Sequence, residues 1–188
     1  MPKIPGLIMV GCWLVLLLYW LVNAFAVKAV AERKSFASSL PYRIPIIIGA
    51  IFLARLRWHW PFNALLTPQI FVTAWIGATV CVVGVGIAIW ARWTLAGNWS
   101  SDIQFKQRHE LAQRGPYRFV RHPIYTGILL MCLGPALLFG RLHFWLGLLF
   151  FGIGFWIKLK QEEALMMRHF PEYAEYRKRV KALVPFVL

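Results

Sequence analysis

The sequence predicts an all-α integral-membrane helical bundle: five transmembrane helices, a C-terminal helical hairpin and a cytoplasmic helical tail. Two observations carry this. The chain has 188 residues, 60% hydrophobic and 16% aromatic, which is too apolar for a soluble domain. Its charged residues make up only 15%, with 21 basic against 7 acidic, and the basic ones sit in the gaps between apolar runs. A net charge of +14 placed that way reads as juxtamembrane anchoring against anionic lipid headgroups, not as a nucleic-acid surface.

The first apolar run, residues 6–27, is 22 residues long and interrupted only by Asn23, enough to span the hydrocarbon. It is too long for the core of a cleaved signal, and no small-residue cleavage site follows it. The second run, residues 44–56, has 13 residues with Arg55 near its end, a length usual for re-entrant or interfacial segments. Continued to Trp60, with its arginines snorkelling outward, it reaches about 17. Residues 70–90 form a clear span of 21. Gly77, Cys81, Gly84 and Ala88 fall on one face of it, where a neighbouring backbone can approach closely. Residues 124–139 and 142–157, 16 each, are split only by Gly140-Arg141, which implies a tight antiparallel hairpin. Trp58, Trp60, Trp90, Trp93 and Trp99 read as interfacial belts.

Charge decides the doubtful second run. With Arg55 counted in the gap that follows the second run, the segments before, between and after the five runs hold 1, 4, 2, 6, 1 and 7 basic residues, so alternate segments carry 17 on one side and 4 on the other. Without the second crossing the split is only 14 to 7. Basic loops stay cytoplasmic, which predicts a multi-pass protein of the inner (cytoplasmic) membrane, N-terminus outside and C-terminus inside. Residues 1–188 read as one domain, with three N-terminal spans in 1–90 and the remainder in 91–188. Cys12, Cys81 and Cys132 lie inside apolar runs and read as small buried hydrophobes, with no metal-ligand spacing.

Residues 114–127, R-G-P-Y-R-F-V-R-H-P-I-Y-T-G, are a dense polar and turn-forming stretch between apolar runs. Gly115-Pro116 stops an arriving helix, and Pro123 suits the first position of the next one. Arg118, Arg121, His122 and Tyr125 are thereby held at the mouth of a membrane helix. By themselves they fit a basic interfacial loop with an aromatic anchor equally well.

The whole string resembles the signature of the isoprenylcysteine carboxyl methyltransferases and, more broadly, of the membrane methyltransferases that include phospholipid N-methylating enzymes. The matching residues are Gly115-Pro116-Tyr117, Arg121-His122-Pro123, Tyr125, Gly127, Glu162-Glu163, Phe170, Tyr173 and Tyr176. Residues 91–100 and His109-Glu110-Leu111 also resemble bacterial members. The resemblance implies S-adenosylmethionine as cofactor, contacted by His122 and Tyr125, with Tyr117, Pro123 and Gly127 as further cofactor-binding positions of the motif. It implies that Glu162 and Glu163 contribute to the same pocket and that Arg121 lies near the acceptor. Arg121 and Glu163 are the expected catalytic pair. Adjacent glutamates stand about 100° apart on a helix, so only one is expected to face the pocket, Glu163, with Glu162 solvated. Pro171 stands where the family has glycine, and Lys158 where animal members have arginine; both alter the rim of the site.

Methyl transfer from a sulfonium needs alignment and exclusion of water more than covalent help. The expected partners are a lipid or small-molecule methyl acceptor and anionic headgroups, the latter at Arg177-Lys178-Arg179 of a short helix starting at Pro171. Prenylcysteine carboxylate, another isoprenoid, a phospholipid amine and a thiol all remain open as acceptors, and nothing points to a protein partner. Two other readings compete: an NADPH-dependent reductase of the sterol reductase type, whose C-terminal R-H-P-x-Y region is similar, and a non-enzymatic lipid-binding membrane protein. Titration with adenosylmethionine and with NADPH separates the three.

Overall fold

The computed structural model describes residues 3–23, 30–33, 36–54, 58–95, 104–106 and 111–187. Five long helices dominate it: α1 (Lys3–Val22), α2 (Phe36–Leu53), α3 (Phe71–Leu95), α4 (Pro123–Phe139) and α5 (Leu142–His169). A short α6 (Tyr173–Arg179) follows, as Pro171 led the sequence to predict. Arg55, Trp99 and the family-like stretches 96–100 and 109–110 lie outside the described residues.

Close backbone contacts set the direction of every helix. Gly77 of α3 meets Gly134 of α4, and Gly84 meets Gly127, so these two run antiparallel. Gly49 of α2 abuts Gly147 and Phe151 of α5, while Tyr42 and Ile46 abut Gly154, again antiparallel. Gly6 and Met9 of α1 face Leu138 and Gly134 of α4. The five helices therefore alternate in direction along the chain. The small-residue face of the third run does what its spacing predicts: Gly77, Cys81, Gly84 and Ala88 are all buried, and tight van der Waals packing replaces the hydrophobic effect that lipid cannot supply.

Two features differ from expectation. The second helix starts at Phe36, eight residues before its apolar run, and passes through Pro41 and Pro45. Interior prolines lose an amide donor and clash with the preceding turn, so the stretch looks like a linker in sequence. Contact of Tyr42 and Ile46 with α5 at Gly154 holds it helical. The fold is also not purely helical. Strands β1 (Val30–Arg33) and β2 (Gln104–Lys106) pair antiparallel, joining the connection after α1 to that after α3. Of the five long helices, α1, α3 and α5 are long and apolar enough to cross a membrane; Ala37–Leu53 and Pro123–Phe139 are shorter apolar segments.

The two ends of the bundle are unlike. At one, Arg141 at the hairpin tip donates to Asn63 O and Oδ1, both at 2.9 Å, and the ring of buried His143 meets Phe52 O at 2.9 Å. Gly140 ends α4 with a left-handed φ of 62°. At the other end the β-ribbon, the returning polar stretch and the tail gather. There the buried Arg92, in the last turn of α3, donates to Asn23 O at 3.0 Å and ties the ends of α1 and α3 together.

Candidate functional site

The polar stretch folds in three steps. Gly115 takes a left-handed φ of 59° and opens a 3-10 helix, Gly115–Arg118, with Pro116 behind it. The chain turns at Phe119 and bends at Arg121, and Pro123 begins α4, where its missing N–H costs no helical hydrogen bond. The second half of α5, past the apolar stretch 142–157, returns to the same end and brings Lys158, Glu162 and Glu163 with it.

Five side chains close into one network. Arg121 Nε donates to Glu163 Oε1 at 2.8 Å, and its Nη2 lies 2.7 Å from the same oxygen. His122 stands between the two carboxylates, with Nε2 3.2 Å from Glu163 Oε1 and Nδ1 3.6 Å from Glu162 Oε2. Tyr125 donates its hydroxyl to Glu162 Oε1 at 2.6 Å. Its ring stacks on His122 on one side, centroids 5.4 Å apart, and on Phe155 on the other, 4.6 Å apart. Charge-assisted bonds of this length are the strong ones, and with side-chain exposures of 8% for Arg121 and 4% for Glu163 they are little screened.

Arg121, His122, Tyr125, Glu162 and Glu163 are thus brought together. Glu162 is not the solvated neighbour of Glu163: it is 22% exposed and carries its own contacts to Tyr125, His122 and, at 3.9 Å, Lys158. The helical 100° between adjacent residues is bridged because His122 presents a nitrogen to each carboxylate. Tyr117 is buried in the apolar cluster beside Tyr125. Its backbone oxygen accepts from Tyr176 at 2.5 Å. Pro123 is buried at the helix start. Gly127 stands apart from the network, facing α3, where a Cβ would lie 2.9 Å from both the Cβ and the backbone nitrogen of Ala88. Arg118 is exposed and sits over the ring of Phe119, away from the network.

Tyr42 was missed in sequence, and Arg177 and Tyr176 were named there without a role at this site. The ring of Tyr42 of α2 lies 5.5 Å from the Lys158 ammonium and that of Tyr125 5.4 Å from it; Tyr42 precedes the apolar run 44–56, and nothing in its local sequence points to the site. Arg177 reaches the network while staying 46% exposed, its Nε 3.4 Å from Glu163 Oε2, and Lys178 pairs with Glu175 at 2.7 Å in solvent. Tyr176 is buried, and burial pushes its hydroxyl well above the ordinary phenol value, which keeps it protonated as a donor to Tyr117 O. The acidic pair is matched by cations of the protein itself: Arg121 and Arg177 at Glu163, Lys158 at Glu162.

The family model described as phospholipid methyltransferase matches residues 72–173, which run from α3 through the polar stretch and both glutamates into α6. The chain belongs to the phospholipid methyltransferase family. A protein-S-isoprenylcysteine O-methyltransferase of Schizosaccharomyces pombe is 33% identical to this family member over 100 residues, 49% of this chain and 41% of that one. The cobalt-zinc-cadmium resistance protein CzcN of Cupriavidus metallidurans is 24% identical over 143 residues, 76% of this chain and 60% of that one. The eukaryotic intramembrane Ras methyltransferase ICMT shares the fold, with a TM-score of 0.51 and 23% identity over 80% of this chain and 50% of that one. This phospholipid methyltransferase family member therefore spans between 41% and 60% of the length of these three proteins.

Proposed function

We propose that this chain is an integral-membrane methyltransferase that crosses the inner membrane five times, N-terminus outside and C-terminus cytoplasmic. It moves a methyl group from S-adenosylmethionine to a lipophilic or small acceptor. One observation carries the reading: in a protein that is 60% hydrophobic, five polar side chains from both ends of a helical hairpin converge in one network. They do so on the side to which the sequence assigns 17 basic residues against 4, which also supports the orientation.

The residues present fit the cofactor. When bound, S-adenosylmethionine supplies a methyl group already activated on a sulfonium. Glu162, the more open carboxylate, suits its ammonium or ribose hydroxyls, and Arg177, 46% exposed, suits its carboxylate. The near-parallel rings of His122 and Tyr125, with 2° between their planes, offer a flat polar edge that holds a ligand in one orientation. Arg121 and Glu163 serve as a pair that keeps this wall in place. Below it the apolar cluster of Ile124, Tyr125, Phe155 and Leu159, flanked by Trp20 of α1 and Ile46 of α2, excludes water and suits an acceptor with a hydrocarbon tail. A prenylcysteine-type carboxylate, as the names of the yeast relative and the structural neighbour suggest, another isoprenoid and a phospholipid amine are all acceptors of that kind. A small thiol is the alternative without a tail.

Titration of the purified protein with adenosylmethionine and with NADPH tests the cofactor; binding of the first alone is expected. Incubation with labelled adenosylmethionine and total membrane extract then identifies the fraction that takes up label. Binding of NADPH alone points to a reductase, and binding of neither to a non-enzymatic lipid-binding protein.

A further inference from the structure

Arg121 is occupied inside the protein before any acceptor arrives. Its Nε and Nη2 meet Glu163 Oε1, and its Nη1 donates to the carbonyl of Arg177 at 3.2 Å and to that of Val180. Those oxygens lie at the end of α6, where a helix leaves its last carbonyls without amide partners. Val180 N–H meets Tyr176 O at 3.0 Å, and Arg121 satisfies the next ones. A guanidinium has about five N–H donors in one fixed plane, so bonds to Glu163, Arg177 and Val180 leave it no free fork for a second carboxylate.

The chain beyond α6 is bound to the same place. Residues 180–183 run alongside residues 120–122: Val120 bridges Lys181 in parallel, Arg121 N–H donates to Lys181 O at 2.8 Å, and His122 N–H to Ala182 O at 3.0 Å. Thr126 Oγ1 fastens the far end on Leu183 O at 2.7 Å. Tyr176 Oη fastens the near end on Tyr117 O at 2.5 Å. Backbone pairing at Arg121 and His122 sets where both side chains enter the network, and a catalytic wall needs its supporting bonds locked to hold sub-ångström geometry.

The geometry points to residues 180–183 as a positioning element of the methyl-transfer site, acting through Arg121, which caps α6 and ties it to Glu163 instead of contacting the acceptor. The word methyl-transfer rests on the function proposed above; the clasp itself does not.

The test uses the full chain in detergent and three variants that keep every charge: Arg121→Lys, Thr126→Val and Tyr176→Phe, set beside Arg121→Ala. Amide hydrogen exchange is read at residues 120–122. Methyl transfer is read with labelled adenosylmethionine and membrane extract as acceptor source. Thr126→Val and Tyr176→Phe should speed exchange at Arg121 and His122 by roughly fivefold or more. They should lower kcat several-fold while acceptor KM stays within about twofold, because only geometry is lost. Arg121→Lys should fall as far as Arg121→Ala, since the single nitrogen of an ammonium cannot reach from one point the carboxylate and two carbonyls that three guanidinium nitrogens meet. Adding Thr126→Val to Arg121→Lys should do little more, as for groups acting as one unit. If Arg121→Lys keeps kcat and only Arg121→Ala raises acceptor KM, Arg121 is an acceptor-binding cation and the inference is overturned. Unchanged exchange in Thr126→Val and Tyr176→Phe overturns it equally. A protein that binds no adenosylmethionine refutes the proposed function separately, and the exchange data then still decide whether the clasp exists.

Discussion

Gly127 and Gly84 touch through bare backbone: a Cβ on Gly127 would lie 2.5 Å from the carbonyl oxygen of Gly84, and one on Gly84 the same distance from that of Gly127. The contact sits two residues past Tyr125, so it sets how α4 delivers the polar network against α3. A methyl group there cannot be absorbed by a side-chain shift, because both neighbours are main chain. Gly127→Ala should cost about 1–3 kcal/mol, the usual scale of overpacking, and lower Tm in detergent. Gly86→Ala, whose Cβ meets nothing within 4 Å, is the control and should leave Tm unchanged or slightly higher. Equal melting of the two variants would falsify the close approach.

Tyr125 and His122 should support cofactor binding. His122→Ala and Tyr125→Ala each remove a bond to the glutamate pair, at 3.2 and 2.6 Å, and one partner of the ring stack. Loss of a hydrogen bond to a charged group is worth about 1.5–3 kcal/mol, so adenosylmethionine affinity should drop roughly ten- to a hundredfold. Calorimetric titration checks this. Affinity equal to that of the unmodified protein in both variants leaves the stretch as an interfacial anchor.

The two glutamates should separate by phenotype. Glu163→Gln leaves Arg121 without its counter-charge in a site where its side chain is 8% exposed, which should cost about 3–5 kcal/mol of stability and lower methyl transfer about a hundredfold. Glu162→Gln, at the more open edge, should lower cofactor affinity with only a small change in Tm. Thermal unfolding and kinetics on both variants distinguish these outcomes, and a reversed pattern means that Glu162 is the structural carboxylate.

Alkaline pH should loosen the tail. Burial raises the folded Tyr176 hydroxyl above its ordinary value of 10.0, so the unfolded chain loses that proton first. Its contribution to stability is therefore complete below about pH 10 and is lost as pH rises further. Unfolding midpoints followed upward from pH 9 should fall less steeply in Tyr176→Phe. Parallel curves for the two proteins assign the alkaline loss to other groups.

Topology is testable without activity. Reporter fusions after Arg33, Asn63, Arg108, Arg141 and Leu188 should read in, out, in, out, in. A cytoplasmic reading at Asn63 removes the second crossing.

Much of this was legible in the residues. Apolar run length marked the helices, since burial of that much hydrocarbon needs a continuous segment and backbone bonds satisfied within it. Turn chemistry located the polar stretch, because Gly115-Pro116 and Pro123 restrict the backbone whatever surrounds them. The pairing of Arg121 with Glu163 was implied by the family resemblance, and hairpin arithmetic allowed it, as two runs of equal length return the chain to its starting level. Less visible was α2, whose Pro41 and Pro45 oppose helix locally and which α5 holds helical.

By itself, then, the sequence determined which segments are apolar enough to enter a membrane, where the chain must turn, and which charges reach one end of the bundle. All of these depend on composition and local stereochemistry. Only the tertiary structure decided that Glu162 joins Glu163 around His122, that Arg177 reaches Glu163, and that residues 180–183 pair with residues 120–122. The reason is physical: such contacts join groups far apart in sequence, side chain to side chain or amide to carbonyl, and a donor is the same in every sequence context until the fold places it beside an acceptor.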